Sequence, residues 1–302
     1  MKDWNTLSGD APLVIAHRGA SGELPEHTLA AYDRAIEMGA DYIEPDLVIT
    51  KDGLLVARHD RYLSGSTNVS ERSEFADRQT EKAGHKGTDW FVEDFTLAEI
   101  KTLKARQPRA GRSKAFDDQY DIPTFDELLA LIAKRSEESG RRIGVYPETK
   151  HPAAFDALGL RHDEALLNSL KTYGFVGADD PVFIQSFELE NLERLKQLTD
   201  IQLIFLTETR PDFKAIAKTV DGVGPSKTLL IDETGADTGF IRVAHAADLA
   251  VHTWTFRDDA LDSKFETVDA ELKAYYRLGI DGVFSDFSDS ALRVRALMKA
   301  DK

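Results

Sequence analysis

One pattern constrains this chain more than any other. Short apolar runs recur along it, separated by stretches with the three-to-four-residue hydrophobic spacing of amphipathic helices. The apolar runs cover 12–16, 41–46, 143–148, 182–186, 201–207, 222–224, 250–255 and 282–285, and the helical patterns cover 29–38, 125–135, 163–173, 189–198, 212–219, 240–247 and 268–278. Apolar strands joined through helices belong in a parallel sheet, because each parallel pair needs a crossover and the crossover helices cover the sheet faces. Eight such strands in 302 residues predict an α/β fold, a TIM-type (β/α)8 barrel forming a single domain over 1–302, with a doubly wound sheet as the fallback.

Two segments break the alternation. Residues 48–59 read VITKDGLLVARH, and an Asp-Gly pair favours a two-residue type I′ turn. That turn would set Lys51 opposite Leu54, Ile49 opposite Val56 and Asp46 opposite His59, in a hairpin extending from the second barrel strand. Residues 61–120 are polar and rich in Gly, Ser, Asp and Lys. They are too long for an ordinary barrel connection, so they are expected to form a small insertion subdomain over the barrel mouth, after the second strand. Within them Thr96 reads as a helix N-cap, with Glu99 completing a capping box.

Lys plus Arg number 38 against 53 Asp plus Glu, a net charge of −15. Nucleic-acid binders show the opposite balance, so no nucleic-acid partner is expected. An anionic small molecule would need a local positive centre: a metal ion, an Arg or a Lys. The chain has no cysteine, which removes disulfides, thiolate catalysis and Cys-based zinc sites. No run approaches 18 apolar residues, so stable membrane insertion is not expected. The first residues, MKDWNTLSGDAPL, lack an apolar signal core. The chain as it stands therefore reads as cytoplasmic, or as periplasmic if a signal peptide has been removed. Oligomeric state is not readable.

In TIM barrels the reactive groups stand at the C-terminal ends of the strands. Those ends hold His17-Arg18, Glu44-Pro45-Asp46, Glu148-Thr149-Lys150, Gln185-Ser186-Phe187, His252-Thr253-Trp254 and Ser285-Asp286, and the hairpin returns to His59-Asp60. Glu44 and Asp46 are two apart on a strand and share a side, with Glu148 arriving from the next strand. Three converging carboxylates repel one another unless a cation neutralises them, and oxygen-only ligation selects one hard divalent ion, Ca2+ or Mg2+. Pro45 removes a ladder donor between the two carboxylates, so a bulge or strand end is expected there. Imidazole both gives and takes protons near neutral pH, which makes His17 and His59 the candidate acid–base pair. Arg18 can fork onto phosphate oxygens, and Lys150 adds a second positive charge. Gln185 and Trp254 are expected to wall the substrate pocket. His85, His151, His162 and His245 fall in insertion, loop or helix contexts and are read as non-catalytic, and His252 as core or pocket wall.

The segments HRGASGELPEHT, GADYIEPDLVITKDG, ARHD, GVYPETK, IQSF, HTWTFR and DGVFSDF resemble, in this order and at fitting spacings, the glycerophosphodiester phosphodiesterases. DFTLAEIKTLK and IPTFDELL look like the longer bacterial, periplasmic type. The resemblance implies a TIM barrel with an insertion after the second strand, His17 and His59 as the acid–base pair, and Glu44, Asp46 and Glu148 around a divalent metal. It further implies that Arg18 binds phosphate and that Lys150 is a site lysine. The implied reaction attacks the phosphorus with the substrate's own glycerol 2-hydroxyl, passes through a cyclic phosphate, and releases sn-glycerol 3-phosphate and an alcohol such as choline or ethanolamine. His27, within LPEHT, departs from the Asn usual in the family. Two alternatives stay open: a lysophospholipase D or sphingomyelinase D-like enzyme that needs an apolar groove for a lipid tail, and a catalytically silent barrel that binds phosphodiesters.

Overall fold

The computed structural model describes residues 4–300. Its strands close the expected ring. Leu13–His17 pairs in parallel with Tyr42–Glu44, which pairs with Gly144–Val145. Pairing then runs through Glu148–Thr149, Phe183–Ser186, Gln202–Thr207, Gly222–Pro225, Ala250–Phe256 and Gly282–Ser285, and the last of these pairs with Leu13–His17 again. The second barrel strand is interrupted at Pro45 and resumes as Asp46–Ile49, and the third is interrupted at Tyr146-Pro147 and resumes as Glu148–Thr149. Proline has no amide hydrogen for the ladder, so the strand end expected at Pro45 is realised.

Alternation along the strands sorts the core into two layers. Ile15, Tyr146, Phe183, Ile204 and Phe284 point into the barrel and fill it. Their neighbours Val14, Val145, Leu203 and Val283 face outward, against helix residues such as Tyr32, Leu128, Leu166 and Leu192. Burying one such apolar side chain contributes about 2 kcal/mol, so a one-residue slip of any strand would reverse many of these contacts at once.

The helices follow from local signals. Leu29–Met38 starts at Thr28, whose side chain accepts from the Ala31 amide, and stops at Gly39, whose φ of 99° suits glycine. Both Leu97–Ile100 and Phe125–Ser139 open with complete capping boxes, Thr96 with Glu99 and Thr124 with Glu127. Three expectations need correction. The helix predicted over 212–219 is the single turn Phe213–Ile216. The C-terminal helix Ser288–Ala300 was not predicted. The hairpin also has a different register: Ile49 faces Leu55 and Val48 faces Val56, so residue 46 stands opposite Arg58 rather than His59. A five-residue loop replaces the two-residue turn. It is held by Thr50 Oγ1 accepting from the Leu54 amide and by the Lys51 amide donating to Phe95 O.

Residues 61–120 leave the barrel after the hairpin strand Leu55–Ala57 and contain short 3-10 turns and a two-stranded ladder, Thr80–Glu81 with Thr88–Asp89. They return to the strand ends through Gln107, which donates to Ser21 O and Leu24 O, and through Arg112. Among the described residues no helix is long and apolar enough to cross a membrane.

Candidate active site

At the C-terminal end of the barrel the strands converge on an open cavity of about 450 Å³. His17, Arg18, Glu44, His59, Glu148, Lys150, Gln185 and Trp254 line it, together with Phe187 and Arg257. Eight of the nine residues singled out in the sequence thus share one cavity. The ninth, Asp46, is buried directly behind it, within reach of Glu44 and Glu148.

Glu44, Asp46 and Glu148 each offer a carboxylate oxygen, all within 4.8 Å of one another, and all three side chains are buried. Barrel geometry produces this closeness: Asp46 stands opposite Glu148 in the parallel ladder, and Glu44 opposite His17. Arg18 reaches the cluster twice, through its amide to Glu44 Oε2 at 2.8 Å and through Nε to Asp46 Oδ2 at 3.2 Å. Its Nη1 pairs with Glu26 at 3.0 Å. The backbone there is left-handed, φ 61°, a conformation that costs a non-glycine residue about 1 kcal/mol and aims Arg18 back into the cavity. Gly19 beside it has no alternative, since a Cβ there would lie 2.6 Å from the Ala31 carbonyl carbon. Lys150 Nζ meets Glu148 at 2.8 Å and Asp46 at 3.9 Å.

Charge in this cluster does not balance on protein groups alone. Among the described residues the permanently charged partners of Glu26, Glu44, Asp46 and Glu148 are Arg18 and Lys150, leaving two negative charges uncompensated if all four ionise. The strain falls unevenly. Burial, then repulsion from Asp46 and Glu148, holds Glu44 well above the ordinary carboxylate range. Burial also pushes Glu148 up, to about 8, against the pull of Lys150. Asp46, though burial opposes it, is taken well below its ordinary value by Lys150 and Arg18. One more acceptor stands here: Gln185 Nε2 donates to Glu44 at 3.1 Å, while its buried Oε1 has no hydrogen-bond partner among the described residues. An all-oxygen set short of two positive charges fits a hard divalent cation.

Both histidines are oriented by a carboxylate. His17 Nδ1 lies 2.6 Å from Asp286 Oδ1, and His59 Nδ1 lies 2.9 Å from Asp60 Oδ1. Their environments differ. His17 is buried, and burial together with Arg18 lowers it to about 4 although Asp286 pulls the other way. His59 is a third exposed. Asp60 is pushed up by burial but brought down to about 2 by its hydrogen bond and charge pairing with His59. Trp254 donates its indole N–H to Gly224 O and meets Phe187 edge-to-face at 5.7 Å, which fixes the aromatic wall of the cavity.

Comparisons with known proteins identify the family. Residues 17–290 match the model of the glycerophosphoryl diester phosphodiesterase family. The chain belongs to that family. A glycerophosphodiester phosphodiesterase of Arabidopsis thaliana is 34% identical, covering 94% of this chain and 86% of its own length. The Haemophilus influenzae glycerophosphodiester phosphodiesterase is 31% identical over 95% and 91%. Among solved structures, an Oleispira antarctica phosphodiesterase in complex with the product sn-glycerol-3-phosphate superposes with a TM-score of 0.67 at 23% identity, over 96% of this chain and 98% of that one. A glycerophosphodiester phosphodiesterase from Agrobacterium tumefaciens gives 0.64 at 22%, over 93% and 99%. At such identities the structures speak for the fold, the TIM barrel, while the family match identifies a phosphoric diester hydrolase.

Several residues of this phosphodiesterase site were not singled out in the sequence. Asp286 was noted only as a strand end. Its partnership with His17 follows from barrel closure, which makes the first and eighth strands neighbours. Glu26 sits in LPEHT, outside the strand ends, and reaches the cluster because the loop folds back over Arg18; His27, noted in the sequence only as a departure from the family's usual Asn, arrives with it. His27 also takes a left-handed backbone, φ 57°, and contacts Asp46 at 2.9 Å. Arg112 comes from 61–120 and donates to Asp286 at 2.6 Å, a contact no local signal announces. Of the remaining histidines, His252 is core, bonded to the Tyr146 hydroxyl inside the barrel, and His162 is buried with Nε2 donating to Leu47 O.

Proposed function

We propose that this phosphodiesterase hydrolyses glycerophosphodiesters, such as glycerophosphocholine or glycerophosphoethanolamine, to sn-glycerol 3-phosphate and an alcohol, with one divalent cation and histidine acid–base catalysis. The observation that carries the reading is the joint presence, around one cavity, of a three-carboxylate cluster and two carboxylate-oriented imidazoles. A Ca2+ or Mg2+ ion held by Glu44, Asp46 and Glu148 would stabilise charge on the phosphoryl oxygens. Arg18 and Lys150, at the rim of the same cluster, hold the phosphate.

His17 acts first as base. Its Nδ1–H donates to Asp286, so Nε2 carries the free lone pair, and burial keeps the ring neutral at pH 7. Nε2 takes the proton of the glycerol 2-hydroxyl, whose oxygen attacks phosphorus. His59, oriented by Asp60, gives a proton to the departing alcohol oxygen as the P–O bond breaks. The cyclic phosphate is then opened by water: His59 takes the water proton and His17 returns its own to the 2-oxygen. Intramolecular attack gains from proximity, which explains a demand for glycerol over simple diesters. Residues 61–120, tied to the site by Gln107 and Arg112, act in this reading as an insertion subdomain that borders the cavity.

The test is release of sn-glycerol 3-phosphate from a panel of glycerophosphodiesters, with Ca2+, with Mg2+ and with chelator, beside lysophosphatidylcholine. Turnover of the water-soluble diesters that stops with chelator supports the reading. Turnover of the lipid alone, or of nothing, overturns it.

A further inference from the structure

His17 stands on the barrel rim between two unlike neighbourhoods. On one side the strand pairing sets Glu44 next to it, and beyond Glu44 come Asp46, Glu148 and Lys150. On the other side the first strand pairs with Gly282–Ser285, and that strand with Ala250–Phe256. Asp286 and Arg257 follow directly on those two strands. One carboxylate links them to the base: Asp286 Oδ1 lies 2.6 Å from His17 Nδ1, and Oδ2 accepts from Arg257 Nε at 2.9 Å. Arg112 and Arg109, contributed by 61–120, approach the same Oδ2 at 2.6 and 3.9 Å, and neither lines the cavity. Arg257 does line it, and its Nη groups make no hydrogen bond among the described residues.

This order around the rim sets the order in which a bound glycerophosphodiester meets the side chains. In the reaction proposed above, the phosphate lies at the carboxylate cluster with Arg18 and Lys150, and the 2-hydroxyl at His17 Nε2. The leaving alcohol departs at His59, just past the hairpin strand Leu55–Ala57. The glycerol chain therefore runs from the phosphate through carbon 3 to carbon 2 at His17. Carbon 1 continues past His17, away from the cluster and toward the seventh and eighth strands, where Arg257 presents its Nη groups. A guanidinium has donors and no acceptor, and the oxygen on carbon 1 is an acceptor one carbon from the oxygen that His17 deprotonates.

We propose that Arg257 is a specificity-determining residue, which donates from its Nη groups to the terminal hydroxyl on carbon 1 of the substrate's glycerol. The inference rests on the phosphodiesterase reading above and deepens it. Attack by the 2-hydroxyl requires a diester with one neighbouring hydroxyl, and any 1,2-diol supplies that. Arg257 adds the demand for the next hydroxyl, because a methyl group in its place would leave a charged donor facing no acceptor.

A matched pair tests it: glycerophosphocholine, and the diester in which propane-1,2-diol replaces glycerol with the same configuration at carbon 2. Both keep the attacking hydroxyl, the phosphate and the leaving choline, and they differ only in the terminal hydroxyl. The wild-type enzyme should show a kcat/KM about tenfold or more higher for the glycerol diester, the size of one hydrogen bond to a charged donor. R257M, which keeps most of the stem and removes every donor, should bring the ratio of the two values close to one. A wild-type ratio near one overturns the proposal. So does an R257M variant that lowers both diesters in the same proportion, the mark of a residue that holds phosphate or only props Asp286. If neither diester is turned over with Ca2+ or Mg2+, the phosphodiesterase reading itself falls, an outcome distinct from the first two.

Discussion

His27 Nε2 stands 2.9 Å from Asp46 Oδ2, while the Tyr32 hydroxyl stands 2.8 Å from His27 Nδ1. All three groups are buried. Burial lowers the His27 pKa against the pull of Asp46, so the neutral ring accepts from Tyr32 and donates its one N–H to the carboxylate, as an Asn amide would. A group that fixes a metal ligand tunes affinity by about 10- to 100-fold. His27→Ala should weaken Ca2+ or Mg2+ binding by that order, and His27→Asn should restore most of it. Calorimetric titration that finds the alanine variant unchanged would remove His27 from this role.

His17→Ala and His59→Ala should each lower kcat by about 10²- to 10⁴-fold, the usual contribution of a positioned acid or base, while the fold and metal binding persist. Near-normal turnover in either variant would reject the acid–base pair.

Glu148→Gln removes one charge from the cluster and leaves the side-chain shape. Metal affinity should fall by about tenfold or more, because an ion short of one anionic ligand loses charge-assisted coordination. An unchanged binding isotherm would exclude Glu148 as a ligand.

Acid should destabilise the fold through its buried neutral histidines. Burial lowers His17, His162 and His252 each to about 4, against about 6.5 in an unfolded chain. Between those values the unfolded state binds protons that the native state refuses, so stability falls as pH drops from 6.5 through 4. Above 6.5 these groups give no slope. Thermal melts at pH 7 and 5, with proton uptake measured on unfolding, check this. Equal stability at both values would contradict it.

The strands were legible because each is a local apolar run, and the barrel because eight of them alternate with helices. Capped helices were legible too, Thr96 with Glu99 being the plainest. The hairpin register was not. Its loop is tied by the Lys51 amide to Phe95 O, a partner 44 residues away, and that tie overrides the local preference of Asp52-Gly53. The helix Ser288–Ala300 escaped because its inward face is narrow, mainly Ala291 and Val294. Its position is fixed by packing on the first strand and on the helix Val268–Leu278.

The sequence by itself determined which groups stand at the mouth: side-chain alternation and strand polarity put His17, Glu44, Glu148 and Lys150 at strand ends wherever the strands finally lie. Only the tertiary structure decided their company. Closure of the ring set Asp286 against His17, the fold-back of the LPEHT loop brought Glu26 and His27 to the carboxylates, and 61–120 delivered Arg109 and Arg112. These partners lie up to 269 residues apart in the chain. Such pairings have no local periodicity to betray them, because they are fixed by how whole elements pack.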